Sequence, residues 1–444
     1  MRFKRLYTIE EERQLVAYLY AGGRSNKEIA ALLQKSTETT VSRRLKEARE
    51  AGFVIICPNV PEEIIRRFEP FEGAKQLEAV LKQAIGTSRV KEVIVVPPQR
   101  FTEGQRRAGS PDWLADAAAR RLWYHAQQGK ITSVGLSWGR TLRAVARAAG
   151  RVAPPVERAR VGAGITWIPV LGDLLHPAEE EAYSLSSSTL AADFTKAFGG
   201  EAESSLALYI PAYIPGKFLE KLPKEEREQR QAIIHDFITM LPNYRLIFGP
   251  TDNGQQPLME QLDALVTSVG APPAPDTKQP WWSLTQQLME GEEAQVQRAT
   301  VGNLAGQFIT DEEVDPEDAR GIEEINARVF GPKIEDFKRL AKNSKAKKSP
   351  GLLVVAAGTF KARVVHRISL AGLVGELIID QALAMELLRL MDHEEQAREL
   401  QERFGWDQEP EEPCLPPSQN AAPFHGGGRN EQQEPPPSAA SKEL

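Results

Sequence analysis

Cysteine and histidine are scarce in this sequence, and the few that occur are scattered. The two cysteines, Cys57 and Cys414, lie far apart, and the six histidines form no cluster along the chain. This usage excludes a disulfide framework, offers no ligand spacing for zinc and is typical of a cytoplasmic protein. We therefore expect a cytoplasmic location, no metal site and no cofactor.

Long apolar runs are also missing. No stretch of about 18 apolar residues exists that would span a membrane. The first residues, MRFKRLYTIEEERQLV, have neither the apolar run nor the cleavage site of a signal peptide. With 444 residues, 41% hydrophobic and 26% charged, the chain is long enough for two or more globular domains with real cores. We expect no association with a membrane.

Positive charge is in deficit overall, but not at the N-terminus. The formal net charge is −6, which argues against a general nucleic-acid binder. From residue 1 to residue 52 there are eleven Lys or Arg against seven Asp or Glu, a balance of +4, so the rest of the chain carries −10. A basic N-terminal segment on an acidic body predicts that any polyanionic partner meets that segment.

The N-terminal segment has the pattern of three helices, at 9–20, 26–33 and 37–51. Ser25 and Glu28 form an S-x-x-E capping box before the second helix, and Val41, Leu45 and Ala48 give the third a buried face. Two short helices joined by a tight turn, the second of them basic and rich in hydroxyls, predict a helix-turn-helix that binds DNA. The alternative is a small three-helix bundle with a solvated basic face.

We expect one set of side chains, on and before the third helix, to reach phosphates or base edges. These are Ser36, Thr37, Thr39, Thr40, Ser42, Arg43, Arg44 and Lys46. Residues 53–60 follow with the pattern of a strand, either a wing of the DNA-binding unit or a link to the next element.

The next part of the chain alternates strand and helix. Strand patterns at 90–96 and 131–136 flank a helix pattern at 113–127, the rhythm of a parallel sheet with covering helices. The second of these strands leads through a turn containing Gly135, Ser137, Trp138 and Gly139 into a helix that begins near Arg140 and Thr141. Backbone N–H groups and the positive end of a helix dipole meet at such a turn, which makes it a candidate site for a phosphate or carboxylate. An ordinary strand-to-helix turn is the alternative.

Two separated motifs resemble the SorC/DeoR-type sugar-binding transcriptional regulators of bacteria. GLSWGRTLRAVA, from Gly135 onward, is similar to the sugar-phosphate loop of that family. The N-terminal pattern also matches at Ser25, at 28–30, at 41–46 and at 48–52. The resemblance covers about residues 10–60 and 75–390. It implies a helix-turn-helix joined to an effector domain related to sugar-phosphate isomerases, and it implies oligomers, dimers or tetramers.

The same resemblance implies further effector-site residues. Thr300–Thr310 is similar to a family segment in which Gly302 is kept and Asn303 replaces the usual Asp. Gly358 and Lys361 follow a buried strand pattern at 352–357, and Asp380 closes the strand pattern at 377–379. Strand patterns at 167–173, 207–213 and 244–250 fill the middle, and the loop at 251–256 adds Asn253 as a candidate contact. Residues 271–294, with Trp281 and Trp282, look like an insertion.

The predicted organisation follows. We expect an α/β protein with a helix-turn-helix domain at 1–60, a linker at 61–74, and a Rossmann-like, mostly parallel effector and oligomerisation domain at 75–392. A helix pattern at 382–404 leads into a Pro-, Gln- and Glu-rich tail, so that 393–444 comprises a helix end and a segment expected to be disordered.

Three functions are compatible with these features. The first is a regulator that binds operator DNA and responds to a phosphorylated sugar or similar metabolite, without catalysis. The second is a sugar-phosphate isomerase or deaminase with a fused DNA-binding head, for which Asp252 and Asp380 are the candidate bases. The third is a DNA-binding protein whose C-terminal domain only oligomerises.

Overall fold

The structure is a computed structural model. It describes residues 8–21, 24–33, 37–50, 69–97, 113–173, 185–201, 205–219, 222–249, 254, 256–271 and 292–404. Within these ranges the fold is mixed α/β, with a parallel six-stranded sheet, a small antiparallel sheet and helices on both faces of the larger one.

The elements are as follows. The strands are β1 (Glu92–Val96), β2 (Ser133–Leu136), β3 (Thr166–Pro169), β4 (Ala264–Thr267), β5 (Val269–Gly270), β6 (Thr300–Leu304), β7 (Gln307–Thr310), β8 (Gly351–Ala356) and β9 (Glu376–Asp380). The helices are α1 (Ile9–Ala21), α2 (Asn26–Leu32), α3 (Glu38–Glu50), α4 (Glu69–Ile85), α5 (Trp113–Gln127), α6 (Arg140–Ala149), α7 (Pro155–Gly162), α8 (Ser187–Ala197), α9 (Lys224–Met240), α10 (Pro242–Phe248), α11 (Leu258–Gln261), α12 (Glu293–Ala299), α13 (Pro316–Ala327), α14 (Ile334–Lys347), α15 (Ala362–Leu370), α16 (Gln381–Leu390) and α17 (Glu394–Phe404). Gly216–Phe218 and Thr359–Lys361 form short 3₁₀ turns.

The three N-terminal helices lie within one or two residues of the predicted bounds. Val16, Ile29, Val41 and Leu45 come from all three helices and form one small buried cluster. The capping box at the start of α2 is present: the Ser25 N–H donates to Glu28 Oε2 at 2.8 Å, and the Glu28 N–H donates to Ser25 Oγ at 3.3 Å. The cluster holds the helices together because each one alone is too short to be stable in water.

The larger sheet has the strand order β1-β9-β8-β4-β2-β3, and every pairing in it is parallel. Strand side chains alternate between two separate cores, one shared with α5, α6 and α8 and the other with α4, α14, α15 and α16. In β8, for example, Val355 belongs to the first core and Val354 to the second. Burial on both faces explains why these strands read as continuous apolar runs.

The chain reverses its direction of sheet building between β2 and β4. After β2 it adds β3 on one side, and then it places β4 on the other side of β2. The helix after β2 packs in one core, while the helix after β8 packs in the opposite core. A crevice at the carboxyl ends of the strands is expected at such a switch point, which is where ligands bind in open α/β sheets.

The middle of the chain differs from the prediction in two places. The strand predicted at 244–250 is wrong, since these residues lie largely in α10, which Pro242 begins without losing a needed N–H. Tyr244, Ile247 and Phe248 pack inward at helical spacing. The strand predicted at 207–213 is also wrong, because Pro211 and Tyr213 make only isolated bridges there. Residues 251–256, which the sequence predicted to be a loop at the end of that strand, therefore come after a helix in the chain.

The helix predicted at 382–404 is two helices, α16 and α17. Asp392 adopts a left-handed backbone conformation, with a φ of 61°, and ends the first of them. The predicted strand at 53–60, the start of the linker at 61–68, the tail from 405, Trp281, Trp282, Asp252 and Asn253 lie outside the described residues. None of the helices described is both long and apolar enough to cross a bilayer.

Candidate functional site

The loop after β2 runs along the carboxyl end of the neighbouring strand β4. The Ser137 N–H donates to the Val266 carbonyl at 3.3 Å, and the Ser137 hydroxyl donates to Thr267 Oγ1 at 2.8 Å. Ser137 is almost fully buried. This residue therefore joins the two strands on either side of the switch point and fixes the course of the loop that follows.

Gly139 ends that loop and begins α6. Its φ is +130°, and a Cβ at this position would meet no atom of the described residues within 4 Å. Its N–H donates to the Leu185 carbonyl at 3.2 Å. The helix has neither a side-chain cap nor an acidic residue in its first turn, so nothing of that kind offsets its positive dipole end. Trp138, Arg140 and Thr141 are half-buried around this point.

Gly135 does not have the role that the sequence suggested. It lies within β2, paired with Ile168 and Leu265, rather than in the loop. A Cβ there would come within 2.8 Å of Leu262 and 3.0 Å of Val170. The prediction that Gly135 lets the backbone approach a ligand is wrong, because core side chains already occupy that space.

Lys361 is the cation of the site. It closes the 3₁₀ turn after β8, at the start of α15, and is only 4% exposed. Its Nζ donates to Ser268 Oγ at 3.5 Å, which places the amine at the end of β4. Burial lowers the pKa of Lys361 to about 8, while the charge of Asp380 acts in the opposite direction. The amine therefore remains mostly protonated at pH 7.

Asp380 supports the same turn from β9. Its carboxylate accepts hydrogen bonds from the Gly358 N–H, at 3.1 and 3.2 Å to the two oxygens, and from the Leu383 N–H at 3.1 Å. The hydrogen bond from Leu383 caps the start of α16. Burial raises the pKa of Asp380, and these backbone bonds and Lys361 oppose the rise. Gly358 has a φ of +94°, a turn conformation that favours glycine. Asp380 thus positions the segment that carries Lys361.

The sequence interpretation missed Thr267 and Ser268. Thr267 ends β4 and Ser268 follows it, and their hydroxyl groups link the Ser137 loop to the Lys361 turn. The signal was present, because Ala264, Leu265 and Val266 form a short apolar run that ends in hydroxyl residues. It was overlooked since the strand had been placed at 244–250.

Gly302 and Asn303 lie in the antiparallel hairpin that continues from β4. Gly302 has a φ of +153°, and a Cβ there would lie 2.3 Å from the Gly270 carbonyl oxygen and 3.0 Å from Val364 Cβ. The Asn303 side chain covers Gly270. Gly302 therefore lets β6 pack against β5 and the first turn of α15. Asn253, the remaining predicted contact, is not among the described residues.

Most of the side chains predicted to meet DNA lie on the solvent side of α3, and Arg44 does not. Thr37, Thr39, Ser42, Arg43 and Lys46 are exposed and Thr40 is half-buried, while Ser36 is not described. Arg44 is 5% exposed and pairs with Glu12 at 3.1 Å and Glu47 at 2.7 Å. Placing Arg44 on the DNA-facing surface was therefore wrong: its side chain ties α3 to α1.

This difference between neighbouring arginines gives a prediction. Arg43→Ala removes an exposed charge, so the salt dependence of DNA binding, measured by fluorescence anisotropy on duplex DNA, should lose about 0.9 from its log–log slope. Arg44→Ala should instead lower the melting temperature of the helical unit. Arg398→Ala, a 69% exposed arginine of α17, is the control and should leave both unchanged. An unaltered slope in Arg43→Ala would mean that Arg43 does not contact a DNA phosphate.

No group of three or more His, Cys, Asp or Glu capable of holding a metal occurs in the part of the chain that the structure describes. The polar groups gathered at the switch point are a lysine amine, hydroxyls, backbone N–H groups at a helix start and a carboxylate that is engaged in capping. Such a set is chemically suited to an anion that carries neighbouring hydroxyls.

No family model matches the sequence, and no curated protein matches it either. Solved structures do match. A DeoR family transcriptional regulator from Listeria monocytogenes is 20% identical, with a TM-score of 0.46, over 71% of this chain and 99% of that one. The full-length sorbitol operon regulator SorC from Klebsiella pneumoniae is 18% identical, with a TM-score of 0.48, over 86% of this chain and 98% of that one. A resemblance to SorC- and DeoR-type regulators is thus found both in the motifs and among the solved structures that the chain matches.

Proposed function

We propose that this protein is a DNA-binding transcriptional regulator whose α/β part, from about residue 75 to 392, binds a sugar phosphate that changes operator affinity. The observation that carries the proposal is the buried Lys361 amine at the end of β4, the strand along which the loop before α6 runs. The first turn of α6 has no acidic residue. A phosphate placed between the amine and this turn would be stabilised by the amine and by the dipole of α6.

The geometry favours binding over catalysis. A general base needs a carboxylate or imidazole poised over the substrate. Asp380, one of the two candidate bases, is held by the Gly358 and Leu383 N–H groups. That engagement suits a positioning role, and it supports a regulator rather than an isomerase.

The response to a ligand requires only that the ligand binds one arrangement of the protein more tightly than another. Ser137, Ser268 and Lys361 belong to three different loops, so a ligand that contacts all of them favours one arrangement of the sheet edge. We infer that this arrangement alters the spacing or orientation of paired DNA-binding units in a dimer or tetramer, and hence the affinity for the operator.

Thermal unfolding in the presence of phosphorylated and free sugars tests the binding step. A ligand at about 100 times its dissociation constant stabilises the protein by roughly 2.7 kcal/mol, which gives a clear rise in melting temperature. We expect a rise with at least one phosphorylated sugar and a smaller rise, or none, with its unphosphorylated counterpart. Equal shifts for both forms would contradict a phosphate site at Lys361.

A further inference from the structure

Asp173 lies four residues beyond the end of β3, and the proposed function gives it no role. Its backbone is fixed on both sides: its N–H donates to the Ile210 carbonyl at 2.7 Å, and its own carbonyl accepts from the Ala212 N–H at 2.8 Å. These two hydrogen bonds therefore hold the Asp173 backbone in place, four residues beyond the end of β3.

Two neighbouring residues, Ser186 and Leu185, connect the Asp173 carboxyl group to the loop between β2 and α6. The side chain of Ser186, the N-cap of α8, lies close enough to the Asp173 carboxyl to lower its pKa. The residue before it, Leu185, accepts the Gly139 N–H through its carbonyl at 3.2 Å. The starts of α6 and α8 thus lie side by side, with the Asp173 carboxyl at the second of them.

One oxygen of this carboxyl is buried without a donor. Asp173 Oδ1 has no hydrogen-bond partner among the residues that the structure describes. Burial raises the pKa of Asp173 to about 6, and the nearby Ser186 side chain opposes the rise. A buried acceptor without a donor costs free energy, so a ligand that brings a donor gains from meeting it.

We propose that Asp173 is the specificity residue for the sugar hydroxyls of the effector, accepting hydrogen bonds from them while the loop and Lys361 hold its phosphate. This inference rests on the proposed function. The end of β4, where the Lys361 amine lies, is two strands from β3 in the sheet, about 10 Å at the usual strand spacing, and Asp173 lies four residues beyond the end of β3. A ligand that meets both groups must therefore reach across more than one strand, as a phosphate joined to hydroxyls by several carbons does and inorganic phosphate does not.

The experiment measures affinity by isothermal titration for inorganic phosphate, glucose 6-phosphate, fructose 6-phosphate and ribose 5-phosphate. In the wild-type protein, at least one sugar phosphate should bind more tightly than inorganic phosphate. Asp173→Asn should weaken that sugar phosphate by about 10- to 100-fold and leave the affinity for inorganic phosphate within about twofold. Asp193→Asn, the same change at an exposed carboxylate of α8, is the control and should alter neither.

The outcomes separate the two proposals. If the wild-type protein binds inorganic phosphate but no sugar phosphate more tightly, or if Asp173→Asn keeps its sugar-phosphate affinity, the role of Asp173 is overturned and the anion site stands. An equal loss of both ligands in Asp173→Asn overturns it too. Binding of none of the four probes by the wild-type protein overturns both proposals. The melting temperature of unliganded Asp173→Asn should be no lower than that of the wild type, which separates recognition from a structural role.

Discussion

Replacing Glu376 by Gln is expected to destabilise the sheet by roughly 3–5 kcal/mol and to lower its melting temperature by about 5–10 °C. Glu376 begins β9 and is buried; Arg121 donates to both of its oxygens at 2.7 and 2.8 Å, and His125 Nε2 lies 3.0 Å from each. Glutamine keeps the shape of the side chain but not its charge, so the Arg121 guanidinium loses its buried counter-ion. Scanning calorimetry at pH 7 measures the change.

The pH dependence of stability gives an independent check on Glu376. Burial raises the pKa of this carboxyl, but the hydrogen bonds from His125 and Arg121 outweigh it and lower the pKa from 4.5 to about 2, which corresponds to about 3 kcal/mol. A depressed pKa contributes stability above pH 4.5 that is lost as the pH falls toward 2. Wild-type protein should therefore lose this contribution between those values, and Glu376→Gln should not.

Glu386→Gln is the matched control for that experiment. Glu386 lies on α16 with about a third of its side chain exposed and pairs with Arg389 at 3.1 Å, so its loss should cost within about 0.5 kcal/mol. A melting temperature of Glu376→Gln as close to wild type as that of Glu386→Gln would mean that the buried cluster contributes nothing to stability.

Replacing Lys361 by Met should weaken the binding of a sugar phosphate by at least about 30-fold, the lower end of what the loss of one partner from a buried charge pair costs. Methionine has nearly the same length and suits the buried surroundings, so the fold should be kept. Titration calorimetry with the ligand found by thermal unfolding measures the loss. Lys338→Met, at a lysine 64% exposed on α14, should bind as the wild type does.

The affinity for that ligand should also fall as the pH rises. Burial lowers the pKa of Lys361 to about 8, and only the protonated amine attracts a phosphate. Between pH 7 and pH 9 the protonated fraction in the free protein drops about tenfold, and the affinity of the wild-type protein should drop with it. A parallel fall in Lys361→Met would place the titrating group elsewhere.

Much of the sheet was predictable because its strands are buried on both faces and read as apolar runs. The sequence predicted β1, β2, β3, β8 and β9 to within a few residues, together with the turn at Gly139. These features depend on local pattern, which a single sequence carries. The resemblance to a known family, in contrast, was needed to predict Lys361 at a helix start and Asp380 after the last strand.

The rest depends on packing between distant segments. Tyr244 and Phe248 lie in an apolar run that suits a strand, and only their inward spacing of four residues within the folded protein distinguishes a helix. Arg44 sits among exposed basic residues of α3, and its burial follows from Glu12 on α1, 32 positions earlier. The role proposed for Asp173 depends on its buried Oδ1 and on backbone hydrogen bonds to Ile210 and Ala212, which lie almost 40 positions later in the chain.

A titration of DNA with and without ligand shows directly whether binding in the α/β part changes DNA affinity. A duplex selected by the protein from a random-sequence pool is titrated by anisotropy, with and without the sugar phosphate that raises the melting temperature. We expect a ligand-dependent change in affinity of about fivefold or more in the wild-type protein. That change should be absent from Lys361→Met, which should still bind the duplex. An affinity that is the same with and without saturating ligand would contradict regulation by the ligand and would favour an α/β part that only oligomerises.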